Sequence, residues 1–195
     1  AYAKFHSEGD DVRAAFALMS VGDTYFIQNL EDVALQNFMK ADSMFRCNNC
    51  LEGRSEALMK IGRAQLRNYQ YDKAMDLFEQ SLASAEECQN PRLVAQAYKY
   101  IAEVYDMNDD YEQEEKYLNQ SVSKYRLAGE RFEMGKAYCK LGDMHFKNEE
   151  YDLAYVNYMS ASNVFEGFGD IENVALVHNK LGRINYIQGD MESAR

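Results

Sequence analysis

Residues 55–90 read SEALMKIGRAQLRNYQYDKAMDLFEQSLASAEECQN and contain two helical patterns in succession. The first pattern places one stripe along a helix: Leu58, Ile61, Gly62 and Gln65. The second pattern does the same with Ala74, Phe78 and Ser81. The segment therefore predicts an antiparallel pair of helices, each of roughly four to five turns, joined by a short turn.

The same pair of patterns recurs every 40 residues along the chain. A glycine ladder consists of Gly22, Gly62, Gly142 and Gly182, with Ala102 in the remaining place. A small-residue ladder consists of Ala34, Ala74, Ala154 and Ala194, with Glu114 as the exception, and a third ladder consists of Phe5, Phe45, Tyr125 and Phe165, with Ala85 as the exception. A fixed period of this length is typical of a solenoid.

The period divides the chain into repeats at 11–50, 51–90, 91–130 and 131–170, with a partial repeat at 171–195 and the end of a preceding repeat at 1–10. Neither end carries a polar capping helix, so we expect a longer array. We expect Gly22 to face Ala34, and Gly62 to face Ala74, where the two helices of a pair cross closely.

Turn and cap residues recur at matching places. Asparagine tolerates the left-handed conformation that ends many helices, which predicts helix ends at Asn68, Asn108 and Asn148, with Asn29 and Gly189 one place later. Asn90 followed by Pro91 predicts an N-cap and a first helical residue. The second helix of each pair opens with an acid that suits its positive end: Asp32, Asp72, Glu112, Asp152 and Glu192.

This pattern resembles the tetratricopeptide (TPR) repeat over the whole chain. The residues that carry the resemblance are Leu18, Val21, Gly22 and Tyr25 with Ala34, Phe38 and Ala41, and again Tyr138, Leu141, Gly142 and His145 with Ala154, Tyr158 and Ala161. The 40-residue period is similar to the long-helix variety of the Pins/LGN-type and rapsyn-type scaffolds. The resemblance implies an all-α TPR solenoid of antiparallel helix pairs, wound into a right-handed superhelix.

Composition narrows the classes of partner. The net charge of −11 argues against a nucleic-acid partner. The sequence contains no apolar run of transmembrane length and no signal-peptide pattern, so we expect no membrane insertion. Four irregularly placed cysteines favour a reducing, cytoplasmic setting, and we expect Cys47, Cys50 and Cys88 to be free thiols in loops rather than metal ligands.

The resemblance implies a concave groove lined by the first helices. Six positions per repeat face it, and these thirty positions hold nine Lys or Arg and five Asp or Glu. A net +4 on this face leaves −15 for the rest of the chain, so we expect the groove to attract an acidic partner. The apolar cluster of Phe16, Met19, Phe26 and Met59 either adds adaptable binding surface or packs against neighbouring repeats.

We therefore predict a non-catalytic scaffold or adaptor that binds an acidic or carboxylate-bearing peptide and needs no cofactor or metal. The predicted cationic contacts are Lys60, Arg63, Arg67, Lys99, Lys140, Lys147 and Arg183, and the predicted apolar contacts are Met59, Tyr100 and Phe146. Two alternatives stay open: a peptide-sensing regulatory domain, and a structural segment of a large assembly. The sequence contains no phosphate loop and no nucleophile–base pattern, so we expect no enzyme activity.

Two side chains break the pattern. Glu114 stands where the ladder needs a small residue, and we expect it to reach solvent or to pair with Lys116. His145 stands in the place of the signature tyrosine, and we expect an edge residue with satisfied hydrogen bonds.

Overall fold

The computed structural model describes residues 1–189, which form ten α-helices and no β-strand. The helices are α1 (Tyr2–Ser7), α2 (Asp11–Ile27), α3 (Glu31–Cys47), α4 (Leu51–Arg67), α5 (Tyr71–Glu87), α6 (Pro91–Met107), α7 (Tyr111–Ala128), α8 (Arg131–Lys147), α9 (Tyr151–Phe168) and α10 (Ile171–Ile187). From α2 onward, a new helix begins every 20 residues. The predicted all-α array of helix pairs is confirmed, and two consecutive helices span the 40-residue period.

The turn that follows each described helix contains one residue in the left-handed region, again at 20-residue intervals. These residues are Gly9, Asn29, Asn49, Tyr69, Gln89, Asp109, Gly129, Glu149, Gly169 and Gly189. All five predicted helix ends are confirmed, since Asn68, Asn108 and Asn148 directly follow the last residues of α4, α6 and α8, and Asn29 and Gly189 have positive φ. The left-handed conformation predicted at Asn68, Asn108 and Asn148 instead falls on the next residue. Asn68 still has a φ of −85°, and the chain turns only at Tyr69, where φ is 59°. Non-glycine residues at such positions carry a backbone cost of roughly 1 kcal/mol or more.

The predicted cap at the start of α6 is confirmed. The Oδ1 atom of Asn90 accepts hydrogen bonds from the backbone N–H groups of Arg92 (3.1 Å) and Leu93 (3.3 Å), and Pro91 is the first helical residue. Aspartates cap three other helices in the same way: Asp10, Asp110 and Asp170. These caps satisfy backbone donors that the helix itself leaves unpaired.

The glycine ladder makes room for aromatic rings. A Cβ atom built on Gly62 would lie 2.5 Å from the ring of Phe78, and one on Gly142 would lie 2.5 Å from the ring of Tyr158. Gly22 meets the ring of Phe38 in the same way. The expectation that these glycines face alanines is therefore wrong, because the ring four residues after each alanine occupies the space.

The helices of a pair run antiparallel. Gly142 of α8 faces Tyr158 of α9, whereas the earlier Gly135 of α8 faces the later Phe165 of α9. Residue numbers therefore rise along one helix as they fall along its partner. Phe165 and Tyr158 are almost fully buried, and burying one such ring stabilises the fold by about 1.5–3 kcal/mol.

The chain divides into two compact units, residues 1–104 (unit 1) and residues 105–195 (unit 2), and the boundary falls in the last turn of α6. Unit 1 contains a core cluster of Ala15, Leu18, Met19, Ala41, Phe45 and Ala57, and a second cluster of Ala34, Phe38 and Ile61. Unit 2 contains a core cluster of Ala154, Tyr158, Ala161, Phe165, Val177, Leu181 and Ile184. The ladder residues Glu192 and Ala194 lie outside the described residues.

Glu114 is buried rather than exposed. Its residue surface is 6% exposed, and its Oε2 atom has no hydrogen-bond partner. The expected pairing with Lys116 is wrong, since the Nζ atom of Lys116 donates to Gln113 instead, at 3.2 Å. Burial, together with the nearby charge of Asp106, raises the pKa of Glu114 from 4.5 to about 7.

His145 is also buried, so the prediction of an edge position is wrong. The residue is 3% exposed. Its hydrogen bonding is satisfied as expected, because its Nδ1 atom lies 2.7 Å from Oε2 of Glu150. A ring with a polar edge therefore replaces the signature tyrosine inside unit 2.

Candidate functional site

In unit 1 the first helices α4 and α6 enclose a cavity of 240 Å³. Its lining residues are Glu56, Met59, Lys60, Arg63, Arg92, Gln96 and Tyr100. Met59, Lys60, Arg63 and Tyr100 belong to the predicted set, so the structure brings four predicted residues to one cavity. Met59 is only 4% exposed and packs chiefly into the core, so it supplies the apolar wall of the cavity rather than a free anchor.

Two of the three cations at this cavity are already paired within the chain. The Nζ atom of Lys60 lies 2.6 Å and 2.8 Å from the two carboxylate oxygens of Asp23 in α2. A guanidinium nitrogen of Arg92 lies 2.9 Å from Oε1 of Glu56. Each pair cancels its own charge, which leaves Arg63 as the unbalanced charge among the lining residues.

Arg63 lies among aromatic rings instead of carboxylates. Its guanidinium carbon is 5.2 Å from the centroid of the Phe26 ring and 5.6 Å from that of Tyr100. Among residues 1–104 no carboxylate oxygen lies within 4.0 Å of its nitrogens. Rings hold a guanidinium by cation–π attraction and leave its N–H groups available to a ligand.

Arg67 and Lys147 occupy the same repeat position at the end of a first helix, and both are paired. Arg67 lies 3.3 Å from Glu31, donates to the backbone oxygen of Phe26 at 3.1 Å, and covers the Phe26 ring at 4.3 Å. In unit 2, Lys147 donates to Asp109 at 2.9 Å and to Asp106 at 3.2 Å. These bonds raise the pKa of Lys147 and lower that of Asp109.

Unit 2 contains a second aromatic–arginine contact, between α8 and α10. The guanidinium carbon of Arg183 is 4.9 Å from the centroid of the Phe146 ring. Lys180 forms an ion pair with Asp143, and the hydroxyl of Tyr158 donates to the same carboxylate at 2.7 Å. Burial, together with this hydrogen bond, raises the pKa of Tyr158, so the phenol stays protonated. A cavity of 340 Å³ beside Arg183 is lined by His178, Asn179, Gly182, Arg183, Tyr186 and Ile187.

Lys99 and Lys140 complete the predicted set. The Nζ atom of Lys99 lies 4.7 Å from the centroid of the Tyr100 ring. Lys140 is exposed and has no carboxylate within 4.0 Å inside unit 2, as far as the described residues extend. Three of the predicted cations, Lys60, Arg67 and Lys147, are therefore paired with carboxylates. Arg63, Lys140 and Arg183 have no carboxylate within 4.0 Å inside their own unit, as far as the described residues extend.

Sequence reasoning missed the pairing partners of these cations. Asp23 and Asp143 are two of the five acids among the thirty positions predicted to face the groove. The spacing in the sequence was the available signal. In both cases a lysine lies 37 residues after the aspartate and two residues before a glycine of the ladder. Adjacent first helices bring residues at this separation together.

Cys47 ends α3 and Cys50 precedes α4, and both are free thiols, as is Cys88. Within residues 1–189, no three His, Cys, Asp or Glu side chains are placed to share a metal ion. None of the described helices has the length and hydropathy needed to cross a membrane.

Comparison with known proteins identifies the type of fold but no family. No family model and no curated protein matches the chain. A kinesin light chain of P. anserina with nearly identical TPR-like repeats superposes with a TM-score of 0.74 at 14% identity, over 94% of this chain and 90% of that one. The fold is a TPR-like helical repeat.

Two further TPR-like neighbours are longer proteins. Aspartyl phosphate phosphatase F from Bacillus subtilis has a TM-score of 0.86 at 16% identity, and the match covers 100% of this chain and 50% of that one. A Rap protein in complex with competence and sporulation factor has a TM-score of 0.74 at 18% identity, over 92% and 50%. This chain therefore spans half the length of both. Identities this low establish the TPR-like fold alone, and the Pins/LGN-type or rapsyn-type variety stays a prediction.

Proposed function

We propose that this chain is a protein-interaction scaffold whose first helices bind an acidic or carboxylate-bearing peptide segment. The observation that carries the proposal is Arg63, an unbalanced cation that faces a cavity and rests among aromatic rings. A planar guanidinium forms paired hydrogen bonds with a carboxylate, and these are stronger than neutral hydrogen bonds.

The size of the cavity favours a peptide over a whole metabolite. At 240 Å³ it is smaller than the ~300–1,000 Å³ typical of small-molecule pockets. Such a space suits single side chains of an extended segment, with Met59 and Tyr100 against their apolar parts. The segment would continue along the first helices, where the surface is richer in cations than the rest of the chain.

The paired cations contribute to this function indirectly. Lys60 and Arg67 join α4 to residues 23–31, and Lys147 joins α8 to residues 106–109. These contacts hold neighbouring first helices in register and thereby fix the surface that a ligand meets. Direct ligand contacts are then assigned to Arg63, Lys140 and Arg183, with Lys99, Tyr100 and Phe146 beside them.

The proposal is tested with an acidic probe, a fluorescein-labelled twelve-residue peptide with glutamate at every third position and leucine and serine between. Fluorescence anisotropy measures its binding to the full chain and to the double variant Arg63→Glu and Lys140→Glu. We expect the double variant to weaken binding about tenfold or more, with the thermal midpoint nearly unchanged, because Lys140 is exposed, Arg63 is half-buried, and neither is paired with a carboxylate inside its own unit. The affinity should also fall as salt is added.

The matched control is Lys73→Glu with Lys116→Glu, which makes the same change in net charge on the exposed faces of α5 and α7. This control should bind the probe nearly as well as the wild type. Equal binding by the wild type and the groove variant, or equal loss in both variants, would contradict the proposal. A second probe with glutamine in place of glutamate should bind weakly to all three proteins.

A peptide-sensing regulatory domain is the second candidate function, because a TPR-like neighbour has been observed in complex with competence and sporulation factor. In that case the probe would change the dimensions of the chain. Small-angle scattering with and without the probe separates the two, since a sensor compacts and a passive scaffold does not. The absence of enzyme activity and the cytoplasmic location stay predictions.

A further inference from the structure

We propose that the chain contains two equivalent carboxylate-binding sites, one in each unit, centred on Arg63 and Arg183. This inference rests on the proposed function and extends it by fixing the number of sites and the chemistry of the bound group. Each site consists of an arginine on a phenylalanine ring beside a lysine–aspartate pair. The five residues of each site are Asp23, Phe26, Phe38, Lys60 and Arg63 in unit 1, and Asp143, Phe146, Tyr158, Lys180 and Arg183 in unit 2.

The two sites repeat one sequence signature at a separation of 120 residues. Residues 22–26 read GDTYF and residues 142–146 read GDMHF. The next first helix carries KIGR at 60–63 and KLGR at 180–183. Glycine and the ring it accommodates recur for packing reasons, but packing does not require the aspartate, the phenylalanine, the lysine and the arginine to recur together.

The contacts repeat along with the sequence. Lys60 is bonded to Asp23, and Lys180 to Asp143. The Nζ atom of Lys60 lies 5.8 Å from the Phe38 ring, and that of Lys180 lies 5.4 Å from the Tyr158 ring. One turn after the lysine, the arginine lies over a phenylalanine ring in both units. Arg63 lies over Phe26, and Arg183 lies over Phe146. Corresponding residues thus make corresponding contacts in both units, with Tyr158 in the place of Phe38, and Arg63 also lies 5.6 Å from the Tyr100 ring.

The charge of each site selects the ligand. Lysine and aspartate cancel, which leaves each site with the single positive charge of its arginine. At the cavity in unit 1 the pair of Arg92 and Glu56 also cancels. A monoanionic carboxylate balances a charge of +1. A phosphate carries about −1.5 to −2 at neutral pH, so a single arginine would neutralise only part of its charge. We therefore assign the sites to aspartate or glutamate side chains or to a chain-terminal carboxylate.

The intervening repeats do not carry the signature. Position for position, Arg63 corresponds to Glu103 and Asp143, so an acid replaces the ligand-binding arginine in both. Phe26 likewise corresponds to Leu66 and Asp106. Among the described residues, the signature is thus complete in α2 with α4 and in α8 with α10, and incomplete in α4 with α6 and in α6 with α8.

The test uses a monovalent probe, a blocked pentapeptide with one central glutamate between leucines and glycines. Two-dimensional ¹H–¹⁵N NMR follows the arginine side-chain Nε–Hε signals of the full chain during titration with this peptide. We expect two signals to shift and saturate. Arg63→Gln should remove one and leave the other titrating with unchanged affinity, Arg183→Gln should do the reverse, and the double variant should show neither.

Several results would overturn the inference. One is the titration of a single arginine, and another is equal shifts across exposed arginines such as Arg13 and Arg131. The same pentapeptide with phosphoserine in place of glutamate should bind each site more weakly, so tighter binding of this peptide would refute the assignment to carboxylates. A peptide with central glutamine should produce no shift.

The experiment separates this inference from the proposed function. If the twelve-residue acidic probe binds but the pentapeptide moves neither or only one of these arginine signals, the scaffold proposal stands and the two-site inference fails. If neither peptide binds, both fail. Thermal midpoints of the variants near that of the wild type establish that each variant is folded, as expected for the exposed Arg183 and for the half-buried Arg63, which has no carboxylate partner in unit 1.

Discussion

Unit 1 and unit 2 carry the same arrangement with one exchange, since Phe38 in the first corresponds to Tyr158 in the second. Both rings fill the space left by a glycine, and both are almost fully buried. The exchange changes how the nearby aspartate is satisfied. Asp23 accepts two hydrogen bonds from Lys60, whereas Asp143 accepts one from Lys180 and one from the Tyr158 hydroxyl.

The exchange of Phe38 for Tyr158 distinguishes ring packing from hydrogen bonding of the aspartate. The glycine ladder requires a flat ring and tolerates either residue, because the contact is made by ring carbons. Each aspartate accepts two hydrogen bonds, from Lys60 alone in unit 1 and from Lys180 and Tyr158 in unit 2. Packing is therefore fixed by shape, while the charge balance of each site is maintained by alternative hydrogen bonds.

The largest expected effect concerns Glu114, which stands where both sites have an alanine in the same register, Ala34 and Ala154. Its pKa is about 7 in the folded chain against 4.5 as the ordinary value, so the folded state binds its proton more tightly. The penalty of the charged carboxylate is absent below about pH 4.5, grows up to about pH 7 and is constant above it. Relative to wild type, Glu114→Gln should gain about 3 kcal/mol of stability between pH 4.5 and pH 8.

Urea unfolding of both proteins at the two pH values measures this gain. Glu112→Gln is the matched control, because Glu112 lies on the same helix and is exposed. Parallel pH profiles for wild type and the Glu114 variant would show that the carboxylate is not buried in the way described. The nearby charges that oppose or support the shift are Asp106, Lys140 and Lys147.

A smaller effect is expected at the glycines beneath the two rings. Gly22→Ala and Gly142→Ala should each destabilise the chain by about 1–3 kcal/mol, because the new methyl group overlaps the ring of Phe38 or Tyr158. Gly182→Ala should instead stabilise by up to about 1 kcal/mol, since no described atom lies within 4 Å of its added Cβ. Thermal unfolding of the three variants measures the contrast, and an equal effect at all three would contradict it.

Exchanging the rings of Tyr158 and Phe38 should change the free energy of unfolding by about 1 kcal/mol. Tyr158→Phe removes the 2.7 Å hydrogen bond to Asp143 and should destabilise the chain by about 1 kcal/mol, less than for a fully buried charged partner because the aspartate is half-exposed. Phe38→Tyr makes the reverse exchange in unit 1 and should cost nothing or stabilise slightly. Denaturant titration of both variants decides the point. A loss in both would mean that the two rings lie in different environments.

The smallest effect is expected at two corresponding turns. Asn29 and Glu149 are 120 residues apart and both have positive φ, 57° and 63°. Glu149→Gly should stabilise by about 1 kcal/mol because glycine adopts this conformation without strain, whereas Asn29→Gly should change stability by only a few tenths, roughly, because asparagine tolerates it. Calorimetric midpoints measure both, and a larger gain at Asn29 would contradict the ranking.

The fold was largely predictable because the period is visible in residue types that packing constrains. Glycine, alanine and aromatic ladders at one spacing predicted the helix pairs, and the cap at Asn90 and Pro91 was readable from local chemistry. The contact between Gly22 and Phe38 was not, because spacing identifies which residues share a face but not which side chain fills a given gap. The left-handed residue was predicted one position too early where the sequence has Tyr69 or Glu149, because tyrosine and glutamate rarely adopt positive φ.

The candidate site was predictable in position but not in charge. The first helices do bring Met59, Lys60, Arg63 and Tyr100 to one cavity. Counting charges over the whole face could not reveal that Lys60 is neutralised by Asp23, because that pair joins residues 37 positions apart. The excess of cations therefore reflects contacts between repeats as well as charges without a carboxylate partner inside their own unit.

The most direct measurement is a crystal structure of the chain with the glutamate pentapeptide, compared with one containing the glutamine peptide. The account predicts difference density for a carboxylate against the guanidinium groups of both Arg63 and Arg183 with the first peptide and at neither with the second. Density at only one arginine, or at the paired cations Lys60, Arg67 and Lys147 instead, would contradict it.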